Sequence, residues 1–488
     1  MKNMKYVLAI LLAFSMFSCD DYLDINENPN AINEEDIRPD LLLPGALNSS
    51  YRVQSRTMTI LGNRFMQNWY GDVNNVTGID VSNEYTLDIN QNFYDGIWDG
   101  IYVQLGNFQS VIDYDSENYD NHKAVAYIMK SFYMQYIVDL YGDAPYSEAF
   151  LGQDNLFPKY DDDKEIYRAL YDNLDMAIAM FDGADANEAP LGAEDIVFNG
   201  DVDGWKAFAN TIKVKLLLRQ SGLTDTESVT YLTQKFADLD ANGVFLTSAV
   251  TINPGYNDST DTQMNPYTNV FVDAAGNFTT FYNQQRASGY IADFLNGTIN
   301  GVVDNRRDAL YETFGGNVSG AYQGANQFSG DLSKILLPMP SADSDGIIMS
   351  LSEVHFLLAE AAERGYLTSF NPQTEFNAGI AASFNFLGVS MGSYMSDISS
   401  VNGLGWSGNH IESIMTQKWL ATNSINPIEA YIDLTRTGFP NLPLATTALY
   451  NNRPYRLQYP LSEFVSNSAN VPSIPQAQLF QVGPFWKN

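Results

Sequence analysis

The sequence predicts a mostly α-helical protein that also carries long loop-rich segments. Apolar residues recur at every third or fourth position over several long stretches, and glycines end these stretches. Between them lie segments rich in Asn, Gly, Thr and Tyr that show no sustained period. Helices joined by short glycine-containing turns are typical of stacked helical hairpins. No strict tetratricopeptide repeat of about 34 residues is present, so periodicity alone indicates only the mostly helical class.

The first part of the helical scaffold is predicted over about residues 115–245. One periodic stretch ends at Gly142, and a second helix begins where Asp162 precedes a glutamate by three residues, the spacing of a capping box. A third helix is expected to use Asp203 as its N-cap, and a fourth covers about residues 226–239. The apolar stripes predict that each helix buries one face.

The second part of the scaffold is predicted over about residues 345–435. Its first helix begins at Ser350, which also precedes a glutamate by three residues, and ends at Gly365. Two further helices are predicted at about residues 374–387 and 409–422.

Two loop-rich inserts are predicted at about residues 51–115 and 250–335. Loops longer than about 15 residues in an ordered protein are usually functional or disordered, and disordered segments are normally poor in aromatic residues. Both inserts are rich in Tyr and Phe, so we expect ordered loops that carry function. No Pro-, Ser- or charge-rich linker divides the chain, which favours a single domain over residues 19–488.

The N-terminus has the features of an export signal. Lys2 and Lys5 precede an apolar stretch at residues 6–17, which is too short to span a bilayer. Cys19, the single cysteine, fits the lipid-accepting residue of a bacterial lipoprotein; the alternative is a free thiol at the edge of a signal peptide. We predict a signal peptide over residues 1–18 and a mature protein tethered through lipid on Cys19, with no cysteine left for disulfides.

The chain is strongly acidic, with 58 Asp and Glu against 26 Lys and Arg and a formal charge of −32. The predicted signal peptide contains two lysines and no acidic residue, so its removal makes the charge −34. Such a field repels phosphate backbones and anionic membranes. Nucleic acid is therefore excluded as a partner, and contact with the membrane is left to the lipid anchor.

The sequence shows no catalytic or metal-binding motif. The three histidines lie far apart, and the motifs HExxH, GxSxG and GxxxxGK[ST] are absent. The stretch NGDVDGW, from Asn199, places oxygen atoms as in a calcium loop, but Asn210 stands where a bidentate glutamate is needed. We predict no catalytic residue, no metal ligand and no cofactor. Two possibilities stay open: a structural calcium ion, and a pair of carboxylates close enough in space to act as the catalytic pair of a glycosidase.

Aromatic and amide side chains in the loop-rich segments suggest a ligand-binding surface. Aromatic rings pack against the C–H faces of sugars, while Asn, Gln and Asp bind hydroxyl groups. The first candidates are Trp69, Tyr70, Asn74 and Asn75, followed by Tyr267, Tyr282, Tyr322 and Trp406. For each ring, packing inside the core or a loop is the competing interpretation.

Several segments, taken in order, resemble one family. The start CDDYLDINENPNA, the turn LYGDAPY and the stretches WKAFANTIKVKLLLR, DNRRDALYETF, EVHFLLAEAAERG and RPYRLQYPLSEFVSNSANV are similar to the SusD/RagB group of nutrient-binding outer-membrane lipoproteins, in particular its second SusD-like branch. The resemblance implies tetratricopeptide-like helical pairs with a loop-rich ligand face, docked as a lid on a SusC-like TonB-dependent transporter. It also implies that Asp20 and Asp21 belong to a surface-export signal and that Arg306 and Arg307 pair with acidic residues.

The resemblance leads to an expected function, namely that of a non-catalytic, lipid-anchored protein on the cell surface. We expect it to capture oligosaccharide and deliver it to the transporter in the outer membrane. Two alternatives stay open: the same module binding peptides, and a surface glycoside hydrolase. Ligand contacts have no motif in this family, so the aromatic candidates rest on composition and loop placement alone.

Overall fold

A computed structural model describes residues 37–71, 82–116, 118–185, 187–325 and 329–487. The predicted signal peptide, Asp20 and Asp21, the lipid-accepting Cys19, and the candidates Asn74 and Asn75 lie outside these described residues. What we expect of them stays a prediction, as does the single domain over residues 19–488.

Helices form most of the regular structure in the described part of the chain, which confirms the predicted fold class. In chain order they are α1 (Pro39–Val53), α2 (Thr59–Phe65), α3 (Ser82–Thr86), α4 (Gly96–Asp113), α5 (Asp120–Tyr141), α6 (Asp163–Gly183), α7 (Val202–Arg219), α8 (Thr226–Asn242), α9 (Pro266–Phe271), α10 (Thr280–Gln284), α11 (Gly289–Leu295), α12 (Arg307–Leu310), α13 (Leu351–Glu363), α14 (Pro372–Leu387), α15 (Tyr394–Ile398), α16 (His410–Thr422), α17 (Pro427–Thr437) and α18 (Leu461–Ser466). A π-helical turn at Gln54–Met58 joins α1 to α2, and 3₁₀ turns lie at Gly152–Asp154, Ser329–Asp331 and Gln476–Phe480.

The described residues also contain two small antiparallel sheets. The strands are β1 (Trp69–Gly71), β2 (Val250–Ile252), β3 (Gln285–Ala287) and β4 (Gly346–Met349). Strand β1 pairs with β3, and β2 pairs with β4. The sheets therefore attach the start and the middle of the loop-rich segment 250–335 to other parts of the protein.

Helix α5 lies at the centre of the scaffold. It packs against α4, α6 and α7, while α13 packs against α7, α14 and α16. The sequence predicted one buried face for each helix, but α5 is buried around most of its circumference. The expectation is wrong for this helix because neighbouring helices cover it on several sides.

The capping residues agree with the sequence at two helices and differ at a third. The Asp162 side chain accepts backbone N–H groups at the start of α6, and the Ser350 hydroxyl accepts one from Glu353 at 3.1 Å. Helix α7 begins earlier than predicted, at Val202, so Asp203 is not its N-cap. Instead, Asp201 caps it by accepting from the Asp203 N–H at 3.1 Å.

Residues 51–115 depart from the predicted loop-rich insert. Much of this range is helical, including α2 and α4, so the expectation is wrong there. Glycines in α4 interrupt its apolar period and obscured the helix in the sequence. At Gly100 a Cβ atom would lie 2.8 Å from the Val53 side chain, and the close approach of α1 to α4 therefore favours glycine. The described residues of the segment 250–335 form short helices, two short strands, turns and isolated bridges.

A network of buried charges joins the central helices α5, α7, α13, α16 and α17. Every member has a side chain that is at most 3% exposed. The cations are Lys215, Arg219, Lys418 and Arg436, and the carboxylates are Asp139, Glu353, Glu360, Glu429 and Asp433.

Arg219 contacts three of these carboxylates. Its Nη2 donates to Glu429 at 2.7 Å and its Nη1 to Asp433 at 2.6 Å, while Nε donates to Asp139 at 3.2 Å. Burial would raise the pKa of Glu429, but the positive charges of Lys215 and Arg219 outweigh it and lower this pKa to about 2. The carboxylate therefore stays ionised inside the protein only while its cations are present.

Replacing Arg219 with methionine is expected to lower the free energy of unfolding by about 3–5 kcal/mol, because it removes the cation shared by three buried carboxylates. Urea unfolding followed by circular dichroism measures this loss. Lys206→Met is the control, since Lys206 pairs with Asp182 at the surface and such pairs contribute less than about 1 kcal/mol. Equal losses in the two variants would contradict a special role for the buried network.

Candidate ligand-binding surface

Trp69 lies in the core. The side chain has no exposed surface, and its Nε1 donates to the Ser424 hydroxyl at 3.2 Å. Its ring meets the Phe271 ring edge to face, with 5.8 Å between the centroids. Strand β1 thus turns Trp69 inward, and we withdraw it as a direct ligand contact.

Tyr70 and Tyr267 are also fully buried. The Tyr70 hydroxyl donates to the carbonyl of Ala325 at 2.9 Å, and its ring stacks with Tyr85. Tyr267 lies in α9 and packs against Phe271, with 5.0 Å between the ring centroids. Both rings belong to the packing of the loop-rich segment, so they too are withdrawn as direct contacts.

Tyr282 is covered by Phe278, which was not among the predicted candidates. The ring of Phe278 stacks on Tyr282 with a centroid distance of 4.2 Å and an angle of 17°. Phe278 is 55% exposed, whereas Tyr282 is 5% exposed. Phe278 pairs with Val272 across a tight turn, and the sequence around Gly276 signalled that turn without showing which aromatic ring faces solvent. Phe278 therefore presents the accessible aromatic surface here.

Tyr322 keeps an accessible ring in a defined orientation. It is 42% exposed, and its hydroxyl donates to Asp293 Oδ2 at 2.7 Å. This hydrogen bond, together with burial and the negative charge, raises the pKa of Tyr322 to about 12. Gly289 lies beneath the ring, where a Cβ atom would come within 2.5 Å of it. Helix α11 thus holds Tyr322 in place and leaves part of the ring open to a ligand.

Trp406 belongs to the scaffold and not to the segment 250–335. It is half-buried, and one face stacks on the His410 ring with 4.1 Å between centroids. Phe376 contacts the indole at a centroid distance of 5.1 Å. Its neighbours therefore cover much of the surface that a sugar would need, although Trp406 stays a candidate.

Exposed aromatic rings are concentrated in the segment 250–335. Among the described residues, five aromatic side chains belong to the exposed large hydrophobic residues. Three of them, Phe278, Phe314 and Tyr322, lie in this segment, and the others are Phe157 and Phe386. We call the first three the loop aromatics; Tyr322 was predicted, whereas Phe278 and Phe314 were not.

A cavity of about 400 Å³ lies on the scaffold and not at the loop aromatics. Its lining includes Ser350 and Ser352 at the start of α13, Ser383 in α14 and the exposed ring of Phe386. None of the loop aromatics lines this cavity. A ligand on the loop aromatics would therefore occupy a different surface.

The described residues contain one group of carboxylates close enough for a cation. Oxygen atoms of Asp143, Asp162 and Asp163 lie within 4.8 Å of one another. All three side chains already accept backbone N–H groups: Asp162 at the start of α6, Asp143 from Asp163 at 3.1 Å, and Asp163 from Phe485 at 2.8 Å. Burial, with the nearby carboxylates, raises the pKa of Asp163 to about 6. The question of a structural calcium ion therefore stays open.

Each histidine pairs with a different carboxylate. His122 contacts Glu194, His355 contacts Glu375 and His410 contacts Glu363, at 2.7 to 3.0 Å. Among the described residues, no histidine belongs to a group of three or more potential metal ligands. Arg306 pairs with Asp304 at 2.6 Å, and Arg307 lies 3.6 Å from Asp308, as the resemblance implied.

The family of this chain follows from a match that covers most of its length. A SusD-like family described as "Starch-binding associating with outer membrane" matches residues 29–460. The chain belongs to this SusD-like family. The resemblance found in the sequence is thereby confirmed, and the family is one of binding proteins associated with the outer membrane.

Solved structures of SusD-like proteins share this fold. A chitin-binding SusD homologue from Flavobacterium johnsoniae has 22% identity and a TM-score of 0.73, over 91% of this chain and 98% of the other. A SusD homologue from Bacteroides uniformis has 24% identity and a TM-score of 0.72, over 92% and 99%. A further chitin-binding protein has 24% identity and a TM-score of 0.71, over 93% and 98%. At these identities the likeness shows the fold alone.

Curated protein sequences contain no match to this chain. In the part of the SusD-like chain that the structure describes, no helix has the length and apolar character that a membrane span requires.

Trp69→Ala is expected to lower the free energy of unfolding by about 3–5 kcal/mol, because it removes a large buried ring. Tyr322→Ala removes a partly exposed ring and is expected to cost less than about 1.5 kcal/mol. Urea unfolding of both variants measures the difference. A small loss for Trp69→Ala would show that the indole is accessible and would return it to the ligand candidates.

Proposed function

We propose that this SusD-like protein is a non-catalytic glycan-binding lipoprotein, anchored through lipid on Cys19 and exposed at the cell surface. In this proposal it captures oligosaccharide and delivers it to a SusC-like TonB-dependent transporter in the outer membrane. The observation that carries the proposal is the set of loop aromatics on the segment 250–335, in a chain whose family is described as starch-binding.

The chemistry of the loop aromatics supports a carbohydrate ligand. Exposed rings pack against the C–H faces of sugars, and polar groups nearby can bind hydroxyls. Asp293 lies at Tyr322, while the ammonium of Lys334 lies 6.0 Å from the centroid of the Tyr282 ring beneath Phe278. Because Asp293 and Gly289 already orient Tyr322, ligand binding loses little side-chain entropy there.

A non-catalytic role is consistent with an open binding surface and with the family description. Delivery needs only modest affinity if the protein closes on its transporter around the ligand. Ligand shifts the population toward the closed state only if it binds that state more tightly. The negative charge of the chain opposes contact with anionic membranes, so in this proposal the lipid and the transporter hold the protein at the membrane.

Tyr322→Ala is expected to weaken oligosaccharide binding about tenfold, which corresponds to the loss of about 1–1.5 kcal/mol of ring contact. Isothermal titration calorimetry of the mature protein with starch- and chitin-derived oligosaccharides measures this. Phe386→Ala is the matched control, because Phe386 is an exposed ring at the scaffold cavity. The oligosaccharide affinity of this variant should equal that of the wild type. The reverse result would move the binding site to the cavity.

The same titration with oligopeptides separates the competing ligand class, since binding of peptides without binding of sugars would replace the glycan proposal. Incubation with the oligosaccharides and an assay for reducing ends tests catalysis. We expect no release of reducing sugar, and steady release by purified protein would make it a glycoside hydrolase instead.

A further inference from the structure

Six exposed apolar side chains lie on three segments outside the loop-rich region 250–335. Their exposed fractions range from 45% to 77%. They are Val103 in α4, Leu151, Leu156 and Phe157 in the segment that follows α5, and Leu461 and Val465 in α18. We call this set the apolar patch.

The three segments of the apolar patch contact one another. Helix α18 is attached to α4, because the Ser462 hydroxyl donates to Asp99 at 2.7 Å. Beyond α18, the Asn470 side chain donates to the carbonyl of Phe157 at 2.9 Å. The ring of Phe150 packs near Tyr102 of α4, at a centroid distance of 6.0 Å. The patch is therefore built on a connected surface and not on separate loops.

Direct hydrogen bonds hold the segment that carries Leu156 and Phe157. The Asn467 side chain donates to the carbonyl of Pro158 at 2.9 Å, and the Tyr160 hydroxyl donates to Glu463 at 2.7 Å. On α18, Leu461 and Val465 are four residues apart and so lie on the same side of the helix. Exposed apolar side chains gathered on connected segments are typical of an interaction site.

The three segments that carry the apolar patch contain more acidic than basic residues. The segments at residues 96–113, 147–161 and 461–470 contain six acidic residues and a single basic residue, Lys159. Asp154 lies in the 3₁₀ turn between Leu151 and Leu156, and Glu463 lies between the two apolar residues of α18. A partner with an apolar centre and a rim of Lys and Arg complements this surface.

We propose that the apolar patch is the surface on which this protein docks against the extracellular protein face of its transporter. This inference rests on the proposed function and adds to it the face of the molecule and the chemistry of the partner. A second copy of the chain would set one acidic rim against another, and anionic lipid would meet the same repulsion. The transporter face therefore carries apolar side chains inside a cationic rim.

The docking surface and the ligand surface use different residues. The apolar patch shares no residue with the loop aromatics or with the cavity of about 400 Å³. Substitutions in the patch are therefore expected to abolish docking and leave oligosaccharide affinity unchanged, which makes the two activities separable.

Leu156→Asp and Val465→Asp test the patch on two of its segments. The full lipidated chain is co-expressed with the SusC-like transporter of its own gene cluster, and the complex is isolated through a tag on the transporter. We expect each variant to bind the transporter at least tenfold less than the wild type. Leu449→Asp is the matched control, because Leu449 lies outside the patch and its exposure of 72% is close to the 65% of Leu156. This variant should bind the transporter as the wild type does.

The outcomes separate this inference from the proposed function. If the wild type binds the transporter and both patch variants bind equally well, the docking surface lies elsewhere and the inference is wrong. If the wild type itself does not bind, the proposed transporter partner is wrong. Analytical ultracentrifugation of the purified protein tests whether the patch instead joins two copies of the chain. A dimer that Leu156→Asp abolishes would assign the patch to self-association and overturn the inference.

Discussion

The buried ionic network around Arg219 is the constraint on which the arrangement of the central helices depends. Its members come from five helices spread between residues 120 and 437, and each is almost completely removed from water. A charge in such a place is tolerated only when its partners hold it at close range. The network therefore disfavours any packing that separates α7 from α17, even one that would bury as much apolar surface.

Because the buried ionic network holds the central helices, residues that serve ligand binding and docking can change at the surface of the scaffold without altering its packing. Short strands attach the segment 250–335 at its start and in its middle, so its loops are held without regular structure of their own. Ring orientation within those loops then depends on single contacts, such as Asp293 with Tyr322 and Phe278 on Tyr282. The apolar patch uses another set of elements, and ligand capture and docking can therefore be altered separately.

Local sequence signals predicted a helix correctly where its apolar periodicity and its capping residue indicated the same start. Asp162 and Ser350 each cap the helix that the spacing to a following glutamate indicated. The prediction failed for α4, where glycines that let α1 approach also interrupt the apolar period, and at α7, where two aspartates compete for the capping position. Composition named Tyr322, which is exposed, together with Trp69, Tyr70 and Tyr267, which lie inside the protein.

The sequence by itself determined the helical class, the family, the acidic surface and the helix starts at Asp162 and Ser350, because each depends on composition, on motif order or on contacts within a few residues. Only the tertiary structure decided which aromatic rings face solvent. The exposure of a ring depends on segments hundreds of residues away, as when Ser424 receives the indole N–H of Trp69. An aromatic residue in a loop looks the same in sequence whether the chain folds over it or leaves it open.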